Sequence, residues 1–191
     1  ILLIAAVAAV YMVGSLLSSP IINAKKYQQL MQVDDREFTE DIKQVSYDKI
    51  PLLDRSTAML LGNRKMGSMV DMVSQFEVSD LYSQINYQDK PVRVSPLVYA
   101  SLTNQADGIP AYILIDMTTQ NTELVKLSDA IRYSESEYFN RNIYRHLRFR
   151  YPTYIFDDIN FEIDDNGTPY WIAPVKKFNI GLFGGQTVGK V

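Results

Sequence analysis

The first 24 residues, Ile1 to Ala24, carry no charged side chain, and 18 of them are apolar. As a helix, residues 1–18 rise about 27 Å, close to the thickness of a hydrocarbon core. The run has no polar face of the kind that a helix at the surface of a globular core shows. The segment therefore predicts a transmembrane helix over residues 1–24. The alternative is a signal peptide, although no basic residues precede the apolar run.

The orientation of this helix is left open by its flanking charges. Lys25 and Lys26 follow the apolar run directly. Because basic residues accumulate on the cytoplasmic side of membrane helices, they favour a cytoplasmic position for the rest of the chain. The acidic residues between 34 and 41 contribute little to that rule.

Composition limits the chemistry of the other 167 residues. The chain has 19 lysines and arginines against 22 acidic residues, a net charge of −3, which gives no electrostatic reason to expect a nucleic-acid partner. It has no cysteine and one histidine, so thiol catalysis, disulfides and Cys/His zinc sites are excluded. We expect neither a metal nor a cofactor.

Residues 25–74 form a helical juxtamembrane segment in our interpretation. The pattern predicts a helical continuation over residues 25–33 and a second short helix within 34–45. Asp54 is a typical N-cap for a third helix, Arg55 to Leu61, which a glycine then ends. None of these segments has a catalytic pattern.

From residue 75 onward, short alternating segments separated by turn residues predict three β-hairpins. Asn166-Gly167 supplies the positive φ of a tight turn in the last of them, and Trp171 anchors its returning strand. We therefore expect residues 75–191 to form an α+β domain of antiparallel hairpins packed with a few helices. The paired segments are Phe76–Tyr87 with Val92–Pro96, Ala111–Met117 with Thr122–Leu127, and Ile159–Ile163 with Tyr170–Val175.

One helix is predicted between the second and third hairpins. Ser134 and Glu137 have the spacing of a capping box. Apolar side chains follow at every fourth position over residues 139–147, and Pro152 ends the pattern. The sequence therefore predicts a helix that begins at Ser134.

The stretch from Ile131 to Val175, with its DNGTPYW turn and strand, and the stretch from Arg93 to Leu127 together resemble an uncharacterised family of multi-pass membrane proteins from Gram-positive bacteria. The hairpin also resembles PepSY modules, small extracytoplasmic α+β units associated with the cell envelope and with protease regulation. The resemblance implies an outward-facing domain and a natural chain that continues past Val191. It supplies no catalytic residue.

The candidate ligand or partner surface is formed by Arg141, Arg145 and Arg148, which recur at helical spacing with His146 and Arg150 nearby. Such a face suits an anionic polymer, a lipid headgroup or an acidic protein. The simpler interpretation is that these arginines form the solvated face of a helix and bind nothing, while the aromatic residues between them pack in the core.

A glycine-rich stretch, Gly184 to Lys190, matches the pattern of a phosphate-binding loop. Val191 stands where such a loop carries a serine or threonine hydroxyl for Mg²⁺, and the preceding region is predicted to be antiparallel β rather than a βαβ unit. A flexible connector is the simpler interpretation.

Two further groups are weighed as catalytic candidates. The acidic residues Asp157, Asp158, Asp164 and Asp165 lack the spacing of a calcium loop, and the last two have the composition of a turn. His146, the only imidazole, has no nucleophile indicated by the sequence. We assign no catalytic residue.

These observations favour a membrane-anchored extracytoplasmic module of the cell envelope that acts by binding. Its expected partners are the membrane and, beyond it, envelope proteins or an anionic envelope polymer. The alternative is an enzyme: an envelope hydrolase that uses carboxylates, or a nucleotide-binding protein that uses Gly184 to Lys190.

Overall fold

A computed structural model describes residues 1–25, 28, 35, 37, 45–101, 107–177 and 186–191. The chain divides into two compact units. The first contains Ile1–Gln44, Tyr154–Asp158 and Ala173–Val191, and the second contains Val45–Thr153 and Ile159–Ile172. The boundary expected between residues 74 and 75 stays a prediction. The helices predicted over residues 25–33 and 34–45 fall largely outside the described residues.

The first unit begins with helix α1, Leu2–Leu17, whose 16 residues rise about 24 Å. The transmembrane helix predicted over residues 1–24 is not supported, because the chain leaves the helix after Leu17 and turns through residues 18–23 around Pro20. The Asn23 side-chain amide donates to the Leu17 carbonyl at 2.7 Å, which satisfies an acceptor at the helix end. In the described segments, no helix is long and apolar enough to cross a membrane.

The remaining elements confirm the α+β class and its antiparallel pairing. They are α2 (Arg55–Gly67), α3 (Ile143–Arg150), β1 (Phe76–Val78), β2 (Ser83–Tyr87), β3 (Lys90–Tyr99), β4 (Ile109–Asp116), β5 (Thr122–Ile131), β6 (Ile155–Phe156), β7 (Asn160–Ile163), β8 (Pro169–Ile172), β9 (Pro174–Lys177) and β10 (Gln186–Lys190).

The strands form three sheets. The second unit holds a five-stranded sheet in the order β1-β3-β4-β5, with β2 also paired to β3, and a separate hairpin of β7 and β8. The first unit holds a three-stranded sheet in the order β10-β9-β6.

Both faces of the five-stranded sheet are covered, so its central strand β4 carries apolar residues at consecutive positions. Ala111 and Ile113 lie on the face that packs with α2 residues Ala58 and Met66. Tyr112, between them, lies on the opposite face with Phe161 and Ile163 of β7. The second unit is therefore layered as helix, sheet and hairpin. We call the two sides of the sheet the helix face and the hairpin face.

The three predicted hairpins are confirmed, with changed limits. The segment predicted as one strand over Phe76–Tyr87 forms two strands, β1 and β2, which pair with different parts of β3. The β2–β3 turn is only two residues long, because Gln88 and Asp89 both adopt positive φ, which suits a tight hairpin turn. The returning strand of the last hairpin is shorter than predicted: β8 ends at Ile172, and Pro174 begins β9, which pairs with β6 and β10 instead.

Helix α2 confirms the predicted cap but not the predicted end. The Asp54 carboxylate accepts a hydrogen bond from the Thr57 amide at 2.6 Å. The helix continues through Gly62, where a side chain would collide with the Tyr82 hydroxyl. The glycine therefore marks a close approach inside the helix rather than its end.

The helix predicted from Ser134 is shorter than expected. α3 begins at Ile143, and Asn142 is its cap. The predicted capping box does not form, because the Glu137 carboxylate accepts from the Tyr99 hydroxyl at 2.9 Å and the Ser134 amide donates to the Arg141 carbonyl. Tertiary hydrogen bonds thus replace the local pair.

Candidate functional site

Helix α3 is fixed at its start by one asparagine. The Asn142 side-chain oxygen accepts from the Arg145 amide at 3.1 Å, and its amide group donates to the carbonyls of Glu135 and Glu137. Ile143 and Leu147 are buried one turn apart. This burial confirms the second half of the predicted apolar stripe and directs the intervening positions of the helix toward solvent.

The outward side chains of α3 form a basic and aromatic surface. We define the α3 surface as Tyr144, Arg145, Arg148, Phe149 and Arg150, all of which are exposed. The Arg145 guanidinium carbon lies 5.7 Å from the centre of the Phe149 ring, within the range of a cation–π contact. The helix contains no acidic residue, so its surface carries three uncompensated arginines of its own.

Arg141, the third predicted member, lies outside this surface. It belongs to a short 3-10 turn, Phe139–Arg141, and its guanidinium pairs with the Asp107 carboxylate at 2.5 Å. That hydrogen bond lowers the pKa of Asp107 and raises the pKa of Arg141. Arg145 and Arg148 form no such ion pair in the described part of the chain. The structure therefore brings two of the three predicted arginines together.

Phe139, which the sequence assigns to the buried stripe, is 77% exposed. Its φ of 52° lies in the left-handed region, which is costly for a bulky side chain. An exposed phenylalanine held in a strained turn directly ahead of α3 adds an aromatic contact to this part of the surface. The helical spacing of the apolar residues gave no signal for it, because positive φ is not a property of the side-chain pattern.

His146 is directed away from the α3 surface and lies half-buried. Its ring centre is 4.3 Å from that of Tyr133. His146 therefore packs against the Tyr133 ring. This contact gives no support to a hydrolase in which an imidazole acts as the base.

Two of the four acidic residues near the third hairpin, Asp157 and Asp164, have structural roles. Asp157 pairs with Lys176 at 2.7 Å, and this hydrogen bond lowers the pKa of Asp157. Asp164 accepts from the backbone amides of Asn166 and Thr168, which lowers its pKa and holds the tight turn. Within the described residues, no group of three acidic or histidine side chains is placed to hold a metal ion.

Part of the glycine-rich stretch is a strand. Residues Gln186 to Lys190 form β10, in which Gly189 lies opposite Val175 of β9. Amides committed to strand pairing do not curl around a phosphate as those of a phosphate-binding loop do. Gly184 and Gly185 lie outside the described residues.

Two cavities that the sequence did not indicate flank strand β5. The larger, about 590 Å³, lies on the hairpin face and is lined by Tyr112, Leu114, Val125 and Leu127 together with the turn of the last hairpin. The smaller, about 360 Å³, lies on the helix face. Both combine residues that are distant along the chain, so no local motif marks them.

Tyr112 shapes the larger cavity. Its hydroxyl donates to the Gly167 carbonyl at 2.9 Å, which ties the sheet to the hairpin turn. Burial raises the pKa of Tyr112 to about 12, with smaller contributions from Tyr87 and Asp164. The hydroxyl is therefore neutral at ordinary pH and serves as a hydrogen-bond donor.

Comparison with protein-family models, with curated proteins and with solved structures gives no match to this chain.

Proposed function

We propose that this chain is a membrane-anchored extracytoplasmic module of the cell envelope that acts by binding, with the exposed helix α1 as its anchor and the α3 surface as a lipid-binding element. The observation that carries the proposal is the exposure of α1. Every side chain of this helix is exposed, and only Gly14 is buried. The outward placement rests on the resemblance to PepSY modules.

Exposure of α1 calls for an apolar environment. Leu2, Leu3, Ile4, Val7 and Val10 are among its exposed apolar residues. Transfer of each large apolar side chain out of water is favourable by about 1.5–3 kcal/mol. A soluble protein seldom exposes a continuous apolar surface of this kind. Insertion of α1 into the acyl layer of a membrane removes that cost.

The α3 surface supplies the chemistry for an anionic membrane. Guanidinium groups form strong paired hydrogen bonds with phosphate oxygens. Aromatic side chains such as Phe149 are favoured at the level of lipid headgroups. Since α1 already holds the chain at the bilayer, phosphate-bearing lipid headgroups are the anionic groups at highest local concentration. We therefore favour them over an envelope polymer or protein.

Replacing Arg145 and Arg148 with serine is expected to weaken docking of the α3 surface onto anionic lipid by roughly 30-fold. Each arginine near an anionic membrane contributes about 1 kcal/mol, so the pair contributes about 2 kcal/mol. The chain has no cysteine, so Tyr138→Cys, next to the surface, can carry a single polarity-sensitive dye. Its emission reports docking in nanodiscs of phosphatidylglycerol or phosphatidylcholine.

A matched control removes two exposed basic residues elsewhere, Arg64→Ser with Lys90→Ser, and should leave docking unchanged. Docking in phosphatidylglycerol should also weaken with added salt, because exposed charges are screened. Equal docking in both lipids, or no change in the Arg145 and Arg148 variant, would rule out lipid binding by the α3 surface. Competition by soluble poly(glycerol phosphate) at low concentration would favour an envelope polymer instead.

A further inference from the structure

Strand β5 is the last strand in the order β1-β3-β4-β5. Residues 122–126 and Ile131 pair with β4, and the register shifts between them, so the regular part of the edge is Thr122 to Lys126. Within the described parts of the second unit, no strand lies on its other side. An edge of this kind presents N–H and C=O groups that an extended backbone satisfies.

A cavity lies on each face of the sheet next to this edge. On the hairpin face, Val125 and Leu127 of β5 form one wall of the 590 Å³ cavity. On the helix face, the 360 Å³ cavity is lined by Phe76, Pro110 and Ala130. Lys126 lines both cavities. The same strand edge therefore separates two spaces, each large enough for a side chain.

This arrangement matches the requirements of strand addition. Successive side chains of an added strand point to opposite faces of the sheet, so neighbouring residues would enter the two cavities in turn. Main-chain hydrogen bonds then provide affinity, and the cavities provide specificity for side chains.

Charges around the cavities favour a basic partner. Glu123 and Asp129 line the larger cavity, and Asp71 lines the smaller one together with Asp107, which is paired with Arg141. Lys126 is the one cation in either lining, and Glu123, Asp129 and Asp71 are exposed. The apolar walls with an acidic surround suit apolar side chains flanked by basic ones.

We propose that the β5 edge binds an extended segment of a partner protein by strand addition, and that two adjacent apolar side chains of this segment occupy the two cavities while flanking basic residues meet Glu123, Asp129 and Asp71. This site is independent of the α3 surface and of α1, so it holds or fails separately from lipid binding.

The test uses the full chain in nanodiscs and a fluorescent octapeptide with leucine and valine at its centre and lysine and threonine on both sides. Two further peptides carry N-methyl groups at either the odd or the even positions. Because only alternate amides of an added strand face β5, one methylated peptide should bind about tenfold or more weakly, while the other should bind nearly as well as the parent.

Variants of the chain locate the site. Glu123→Lys with Asp129→Lys is expected to weaken peptide binding by about tenfold, since two attractive contacts become repulsive. Glu77→Lys with Asp165→Lys makes the same charge change at two exposed residues that line neither cavity, and should bind as the parent does. The proposal is overturned if the peptide shows no saturable binding or if the two methylation patterns weaken binding equally. It is also overturned if sedimentation shows that the chain forms a dimer that the peptide does not dissociate, because the β5 edge would then be taken by a second copy.

Discussion

Replacing Val7 and Val10 with lysine is expected to release the chain from membranes. Both residues lie near the middle of α1 and are exposed. Each valine that leaves the acyl layer forfeits about 1.5–3 kcal/mol of apolar burial, so the pair costs at least about 3 kcal/mol, which corresponds to more than 10²-fold in membrane binding. The measurement is the fraction of chain that stays with the membrane pellet after alkaline carbonate extraction.

The control places the same substitutions at two exposed valines outside α1, Val45→Lys and Val70→Lys. This variant should remain in the pellet as the parent does. If the α1 variant also remained there, α1 would not be the element that holds the chain at the membrane.

Replacing Phe161 with alanine is expected to destabilise the second unit by about 3–5 kcal/mol. Phe161 is 0% exposed, and its ring lies 6.0 Å from the Tyr112 ring and 5.2 Å from the Trp171 ring. The substitution opens a cavity in the centre of the hairpin-face core, which cannot close without moving the hairpin. A domain of ordinary stability, about 5–15 kcal/mol, would lose a fifth or more of its free energy of unfolding.

Urea unfolding followed by fluorescence measures this loss, because Trp171, the only tryptophan, contacts Phe161. Tyr170→Ala is the matched control: Tyr170 lies on the same hairpin but is 51% exposed, so we expect a change within about 0.5 kcal/mol. A loss in the Phe161 variant as small as that expected for the control would mean that the hairpin is not part of the core.

The hairpins could be predicted because their signals are local. Alternation at Ile159, Phe161 and Ile163 places all three in the interior, and Asn166-Gly167 specifies the turn between the strands. The Asp54 cap is equally local, since it acts three residues along the chain.

The predictions that failed depend on contacts between distant segments. Ser134 and Glu137 satisfy a capping pattern, but Glu137 bonds to Tyr99, which is 38 residues away. Arg141 fits the arginine spacing, but it lies in a 3-10 turn ahead of α3 and pairs with Asp107, which is 34 residues away. The cavities beside β5 belong to the same class, because hairpin turn and sheet meet only in the folded chain.

The extracytoplasmic placement is the central claim and has a direct test. Asn166 is exposed in the turn of the last hairpin, so Asn166→Cys gives the chain a single accessible thiol. The measurement is labelling by a membrane-impermeant maleimide in intact cells, with permeabilised cells to confirm expression. Our account predicts labelling in intact cells. Labelling only after permeabilisation would place the domain in the cytoplasm, as Lys25 and Lys26 favour, and would contradict the account.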